Sequence, residues 1–192
     1  VNFSDPTTTP SDFGAPNLSD SDENADRDQI ATDSSGKYVY GIWQRFDSTN
    51  NIIQIAISSD FGITWTDPNT TPSDLGSPNL SVSDQDAFNA QIATDSSGGY
   101  VYAVWERSDG TNTIIQAAIS SDFGVTWVNP TSTPPGTTPN LSDSGQNAQS
   151  AQITTDSSGK YIYVIWQRFD GTNFIIQTAK GFKTFPYKKH ND

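Results

Sequence analysis

The sequence predicts an all-β fold built from three copies of one unit, on three observations. Asn17-Leu18-Ser19 recurs 62 residues later as Asn79-Leu80-Ser81, and a further 61 residues later as Asn140-Leu141-Ser142. Each copy contains stretches of aromatic and β-branched residues, which favour strands. No segment of about ten or more residues has helical periodicity. Strand-forming units of this length indicate a propeller, a solenoid or another array rather than a single globular core.

Two strands joined by a turn open each unit. The first predicted strand, Gln29 to Thr32, leads into Asp33-Ser34-Ser35-Gly36, whose residues favour a tight turn. The second, Lys37 to Arg45, has apolar side chains at both odd and even positions. Both of its faces are therefore expected to be buried between neighbouring sheets. Copies of this strand run over 99–107 and 160–168.

A second turn and two further strands complete the unit. The turn at residues 47–50 has copies at 109–112 and 170–173 that contain Asp-Gly, a strong hairpin signal. The third strand runs from Ile52 to Ser58. A fourth is predicted to begin at Thr64, before a linker rich in Pro, Ser and Thr that reaches Asn79. Each unit is therefore predicted to be a four-stranded meander.

The two ends of the chain depart from the unit in complementary ways. Residues 3–12 match residues 65–74, so the chain opens on a fourth strand, whereas residues 180–185 replace the end of the third unit. The predicted divisions are a leading fourth strand at 1–16, units at 17–78, 79–139 and 140–179, and an atypical tail at 180–192. Two interpretations of the basic tail stay open: a cap on the exposed edge of the last unit, or a chain end unrelated to the repeat, such as the product of a shifted reading frame.

Composition narrows the classes of function. The chain has 22 Asp and Glu against 10 Lys and Arg, for a net charge of -12, which argues against a nucleic-acid partner. No apolar run approaches the roughly 20 residues needed to span a membrane. The absence of Cys excludes disulfides and thiolate sites. The composition is typical of a secreted or envelope-exposed protein, and a first residue other than Met suggests an upstream segment.

An octapeptide after the third strand points to a known family. Residues 58–65, Ser-Ser-Asp-Phe-Gly-Ile-Thr-Trp, return with one change at residues 120–127. This pattern resembles the Asp-box of sialidase-like (BNR-repeat) β-propellers, and the resemblance covers residues 1–179. It implies propeller blades with the boxes at the periphery, away from the ligand face. We expect the box residues to be structural, because Asp caps the turn and Trp is buried beneath it: Ser58, Asp60, Gly62, Thr64, Trp65, Ser120, Asp122, Gly124, Thr126 and Trp127.

The resemblance also implies a quaternary structure. Propellers usually need about 4 to 8 blades to close, so three units cannot form a ring alone. We expect a six-bladed ring made by two chains, each donating its N-terminal strand to the last unit of the other. The open alternative is a fragment of a longer propeller.

The sequence lacks the features that the family uses for catalysis. Sialidases need an arginine cluster, a Tyr-Glu nucleophile pair and an Asp acid, and their first Arg lies in a Phe/Tyr-Arg-Ile-Pro motif that is missing here. The single histidine, His190, is close to the C-terminus. We therefore expect no catalytic residues and a binding or interaction module. The alternatives are a remnant of a sialidase-like glycoside hydrolase and a scaffold repeat of a larger surface protein.

A repeated polar row is the candidate ligand site. Its members follow the second strand of each unit: Arg45, Arg107 and Arg168, with Asp47, Asp109 and Asp170. In the structural interpretation, the arginines pair with carboxylates of the linkers. In the functional one, each Arg helps to form one of several equivalent pockets for a sugar or an anionic group. The net charge favours neutral glycans over polyanions, and a surface protein is the other expected partner.

The acidic run from Asp20 to Asp28 is the one candidate for a metal. Its oxygen atoms suit Ca²⁺, but its spacing is not that of an EF-hand. We expect a solvated loop, with a weak calcium site as the alternative and no other cofactor.

Overall fold

The computed structural model describes residues 1–11, 14–20, 22–130 and 140–183. These residues form nine strands and no helix, which confirms the all-β prediction. The strands are β1 (Ala25–Thr32), β2 (Val39–Phe46), β3 (Asn51–Ser58), β4 (Ala87–Thr94), β5 (Val101–Ser108), β6 (Thr113–Ser120), β7 (Ala148–Thr155), β8 (Tyr161–Phe169) and β9 (Phe174–Phe182). They make three antiparallel sheets, β1-β2-β3, β4-β5-β6 and β7-β8-β9. Residues 184–192, most of the predicted tail and including His190, lie outside the described residues, as does the linker at 131–139.

The first strand of each sheet begins four residues earlier than the sequence predicts, because a β-bulge extends it. The pairing of β1 with β2 shifts between Asp26 and Gln29. Arg27 lies in this bulge with a positive φ of 55°, and Asn89 and Ser150 occupy the equivalent positions with φ of 52° and 56°. A bulge lets two residues face one on the partner strand. The strand therefore continues through a polar stretch, which the alternation of apolar and polar residues does not identify as a strand.

The fourth strand predicted to begin at Thr64 is not a strand of the sheet, and isolated bridges take its place among the described residues of the first two units. Thr66 exchanges two backbone hydrogen bonds of 2.9 Å with Ile57 on the outer edge of β3, and Leu80 donates one of 2.7 Å to Ile53. Val128 and Leu141 pair in the same way with β6. The linker between each pair of bridges is rich in proline, which has no N–H to donate. The outer edge is therefore covered by short bridges rather than by a strand.

The octapeptide after β3 forms a turn closed by its own side chains. The Asp60 carboxylate accepts the backbone N–H of Thr64 at 2.8 Å and the Thr64 hydroxyl at 2.6 Å. Ser58 accepts the N–H of Gly62 at 3.0 Å, and the indole of Trp65 donates to the Gly62 carbonyl at 3.1 Å. The second octapeptide repeats these bonds at residues 120–127. We call the end of the sheets with these turns the box end, and the opposite end the bulge end.

The three sheets pack face to face in chain order. The first strand of each following sheet lies against all three strands of the sheet before it. Between the first two sheets the core includes Tyr40, Ile42, Ile53 and Trp105. A second cluster, with Val104, Ile115 and Trp166, lies between the second and third sheets. Both faces of β2 and β5 are buried, as predicted, whereas one face of β8 is exposed.

The two box glycines have different surroundings, which yields a stability prediction. A Cβ added at Gly124 would lie 2.8 Å from the Ile57 side chain, whereas one at Gly62 meets nothing within 4 Å. Both glycines have positive φ, so Gly62→Ala is expected to cost about 1 kcal/mol in backbone strain alone. Gly124→Ala should cost a further 1–3 kcal/mol or so, because it also forces the two sheets apart.

Urea denaturation of the two variants measures this difference. Gly62→Ala serves as the matched control, since it introduces the same strain without the clash. Equal destabilisation of both variants would contradict the packing of the second box against the first sheet.

The box carboxylates predict a loss of stability in acid. The Thr64 hydroxyl and backbone N–H, followed by the Ser58 hydroxyl, lower the pKa of Asp60 from its ordinary value of 3.8. The folded state thus binds this proton more weakly than the unfolded chain does. The stabilisation is complete above pH 3.8 and is lost as the pH falls through the lowered pKa. Asp60→Asn should therefore reduce the difference in unfolding free energy between pH 6 and pH 2, measured by denaturant melts. An unchanged difference would show that Asp60 is not capped in this way.

Candidate functional site

The arginine row lies at the bulge end, and two of its three members are paired. Arg45 lies 3.1 Å from Asp22 and 3.5 Å from Glu23, while Arg107 lies 2.5 Å from Asp84. Arg168 has no ion pair among the described residues. The reason is visible in the sequence, because Gly145 occupies the position that Asp22 and Asp84 hold in the other units. The row thus contains one guanidinium without a salt bridge among the described residues, although its charge acts on the carboxylate of Asp170 in the adjacent turn.

The aspartates predicted to share these pockets form the neighbouring turns. Asp47 accepts the backbone N–H groups of Thr49 at 2.9 Å and Asn50 at 2.8 Å. Asp109 and Asp170 make the same pair of bonds in their own turns. Backbone hydrogen bonds from Asn173 and Thr172 accordingly lower the pKa of Asp170. These carboxylates hold the hairpins in shape, and a ligand would meet only their remaining lone pairs.

A cluster that the sequence analysis missed joins the three sheets at the bulges. Glu106 is buried, and it accepts hydrogen bonds from the side chain of Asn89 at 2.9 Å and from the backbone N–H of Ser150 at 2.7 Å. Arg27 in turn donates to the Asn89 side chain. The two other units have Gln44 and Gln167 at the position of Glu106. The change from Gln to Glu in the Trp-Gln-Arg stretch of the second unit is visible in the sequence. The β-bulges whose residues bind this carboxylate could not be recognised from the sequence.

Several polar atoms at this end have no partner. The Nε atoms of Arg45, Arg107 and Arg168 are buried without a hydrogen bond among the described residues, as are the side-chain oxygens of Gln85 and Gln146. Buried polar groups in proteins are nearly always hydrogen-bonded. The equivalent positions of these atoms in the three units show that the bulge end is polar below its surface.

The described residues provide no preformed metal centre. No group of three or more His, Asp or Glu side chains among them is arranged to hold an ion. Of the acidic run, Asp22 and Glu23 pair with Arg45, and position 21 lies outside the described residues. The calcium interpretation stays a prediction. Within the part of the chain that the structure covers, no helix has the length and hydropathy to cross a membrane.

Comparison with solved structures shows a likeness in fold. A Hadza microbial sialidase superposes with a TM-score of 0.56 at 15% identity, over 82% of this chain and 35% of that protein. A candidate glycosidase from Bacteroides thetaiotaomicron VPI-5482 gives 0.47 at 12% identity over 82% and 48%, and a glycoside hydrolase gives 0.43 at 15% over 83% and 48%. This chain thus spans about a third of the length of the sialidase. No family model matches the sequence. No curated protein matches it either. The fold is sialidase-like.

The Glu106 cluster predicts a graded response to substitution. Glu106→Ala leaves the N–H of Ser150 and the amide of Asn89 without an acceptor, so the free energy of unfolding should fall by about 1–3 kcal/mol. Glu106→Gln keeps one oxygen, as in the other two units, and should cost less than half as much. Thermal and urea melts compare the two variants. Equal losses would mean that the oxygen is not the feature that matters.

Proposed function

We propose that the three sheets are blades of an Asp-box propeller, and that the chain is a non-catalytic carbohydrate-binding module outside the cytoplasm. Support for the propeller comes from the fold likeness to a sialidase, the in-phase octapeptides and the face-to-face packing of sheets in chain order. Support for export comes from the acidic, cysteine-free composition.

The arginine row carries the functional proposal. Guanidinium groups present several N–H donors in a fixed plane, which suits the oxygen atoms of sugars. Arg45 and Arg107 are already paired with Asp22, Glu23 and Asp84. Their charges are therefore neutralised, and their side chains are held in place by these ion pairs. Arg168 is half-buried and has no ion pair among the described residues. We therefore place the strongest sugar contact at the third unit.

The charge of the chain selects the class of glycan. A net charge of -12 repels polyanionic chains such as sulfated glycans. Hydroxyl groups of a neutral glycan can instead accept from Arg168 and donate to the free lone pairs of Asp170. Three similar surfaces side by side would strengthen weak binding to a repeating polysaccharide.

One observation favours the hydrolase alternative. Glu106 and Arg27 break the symmetry of the three units at the bulge end, and catalysis needs residues with distinct roles. Glu106, however, is buried and accepts two hydrogen bonds that join neighbouring sheets. A structural role accounts for both bonds, so the binding module is the preferred function.

A glycan array followed by calorimetry with a neutral oligosaccharide tests the proposal. Arg168→Ala should weaken binding about tenfold or more, because a hydrogen bond from a charged donor is lost. Lys37→Ala, which removes a cation at the box end, is the matched control and should bind normally.

Two results would contradict the proposal. The first is the absence of binding to any neutral glycan by the folded chain. The second is turnover of a fluorogenic sialoside that is lost in Glu106→Gln, which would establish a hydrolase instead.

A further inference from the structure

We propose that the exposed face of the third sheet binds the exposed face of the first sheet in a second copy of the chain, so that two copies close one ring. The arrangement would repeat the interfaces already present between the first and second and between the second and third sheets. It rests on the propeller packing proposed above, and it does not depend on glycan binding.

The third sheet exposes side chains that are buried in the second sheet. Ile176 is 70% exposed, whereas Ile115 at the same position of the second unit is 0% exposed. Ile165 is 48% exposed against 0% for Val104, and Tyr163 is 44% exposed against 5% for Tyr102. Contiguous apolar surface of this kind marks an interaction site. The face is apolar because it has the same sequence pattern as faces that another sheet covers.

The first sheet exposes the matching side of the interface. Ile30 is 71% exposed on β1, and Ala25 is exposed although its counterparts Ala87 and Ala148 are fully buried. In the two inner interfaces, the first strand of the following sheet fills this side. β1 is therefore shaped like the strands that already pack against a preceding sheet.

The turns at the box end show the same missing contact. A Cβ added at Gly98 would lie 2.8 Å from Tyr38, and one at Gly159 would lie 2.9 Å from Tyr100, so each turn presses on the preceding sheet. Gly36 is the equivalent glycine of the first sheet and meets nothing within 4 Å. The proposed interface would bring it against Tyr161 of a second copy.

A ladder of hydrogen bonds defines the register of that interface. The Ser34 hydroxyl donates to the Ser96 carbonyl at 2.8 Å, and the Ser96 hydroxyl donates to the Ser157 carbonyl at 2.7 Å. Backbone N–H groups reinforce both steps, at 3.1 and 3.0 Å. The next step places Ser157 as donor to the Ser34 carbonyl of the second copy. One ladder would then run through both chains.

The two end faces also differ from the inner faces in charge. β1 carries Asp28 where the inner strands have Ala90 and Ala151, so the first sheet presents an acidic group. β9 carries Lys180 where the other units have isoleucine, so the third sheet presents a basic one. The polar departures from the unit therefore occur on both end faces, and they have opposite sign.

The N-terminal residues fit the same arrangement. Phe3 stands at the position of Trp65 in the unit and is 96% exposed. Ser4 stands at the position of Thr66, which bridges to Ile57 on the edge of β3. In a second copy, Ser4 would bridge to Lys180 on the edge of β9 and Phe3 would be covered.

A pair of cysteines tests the contact directly, because the protein has none of its own. Ser34→Cys with Ser157→Cys should form a two-chain species on mild oxidation, seen on a non-reducing gel and reversed by reductant. Ser34→Cys with Ser96→Cys is the matched control, since those residues already touch within one chain and should form an intrachain bond. Each single variant should stay a monomer on the gel.

The outcomes are distinct. Complete oxidation of the control without a two-chain species from the first pair would overturn the proposal. A ladder of three or more chains would overturn the closed ring of two copies.

Sedimentation of variants without cysteine gives a second readout. Ile176→Asp should raise the dissociation constant of the dimer at least about 30-fold, because the central apolar contact is replaced by a buried charge. Leu75→Asp changes an exposed leucine in the linker, away from both faces, and should leave the dimer intact. A folded wild-type chain that is monomeric at tens of micromolar would refute the second copy as the occupant, and would favour a further unit of a longer chain. Loss of glycan binding in a chain that still dimerises would overturn the proposed function alone.

Discussion

The structure depends on one constraint, that each three-stranded sheet can bury its apolar face only against the next sheet. Ile42 and Ile53 of the first sheet become fully buried because β4 lies across them. In the third sheet, which no further sheet among the described residues covers, the equivalent Ile165 and Ile176 are exposed. A small antiparallel sheet is marginal alone, so stability accumulates from one interface to the next. The energetics of the described residues are therefore those of an array in which each sheet is stabilised by its neighbours.

The contacts between sheets are specific as well as apolar. The Tyr40 hydroxyl donates to the carbonyl of Gly98 in the next unit at 2.5 Å, and the Tyr102 hydroxyl makes the same bond to Gly159. These bonds fix how far one sheet slides over another, which apolar packing alone would leave open. Glu106 provides a similar connection at the opposite end of the second interface. The relative position of the sheets is therefore held at both ends.

Local sequence predicted much of this fold, and tertiary contacts explain what it missed. The strands and turns follow from residue types whose conformational preferences act within a few positions, such as Asp109-Gly110. The bulges at Arg27, Asn89 and Ser150 could not be predicted, because none of these residues favours positive φ strongly enough to reveal it. The turn role of Asp47 was within reach, since a side chain that caps the backbone two and three residues on is a local motif.

The candidate site contains two kinds of position, those that repeat in all three units and those that differ in one unit. Positions that repeat in all three units, such as the arginine row, serve the shared architecture first, and two of the three arginines are indeed paired within the chain. Positions that break the repeat, such as Gly145 and Glu106, cannot be explained by that shared architecture. Gly145 replaces the aspartate that pairs with the arginine in the other two units, and Glu106 connects two sheets. In a chain of near-identical units, a departure from the repeat marks either an added contact between sheets, as at Glu106, or a candidate ligand contact, as where Gly145 removes the usual partner of Arg168.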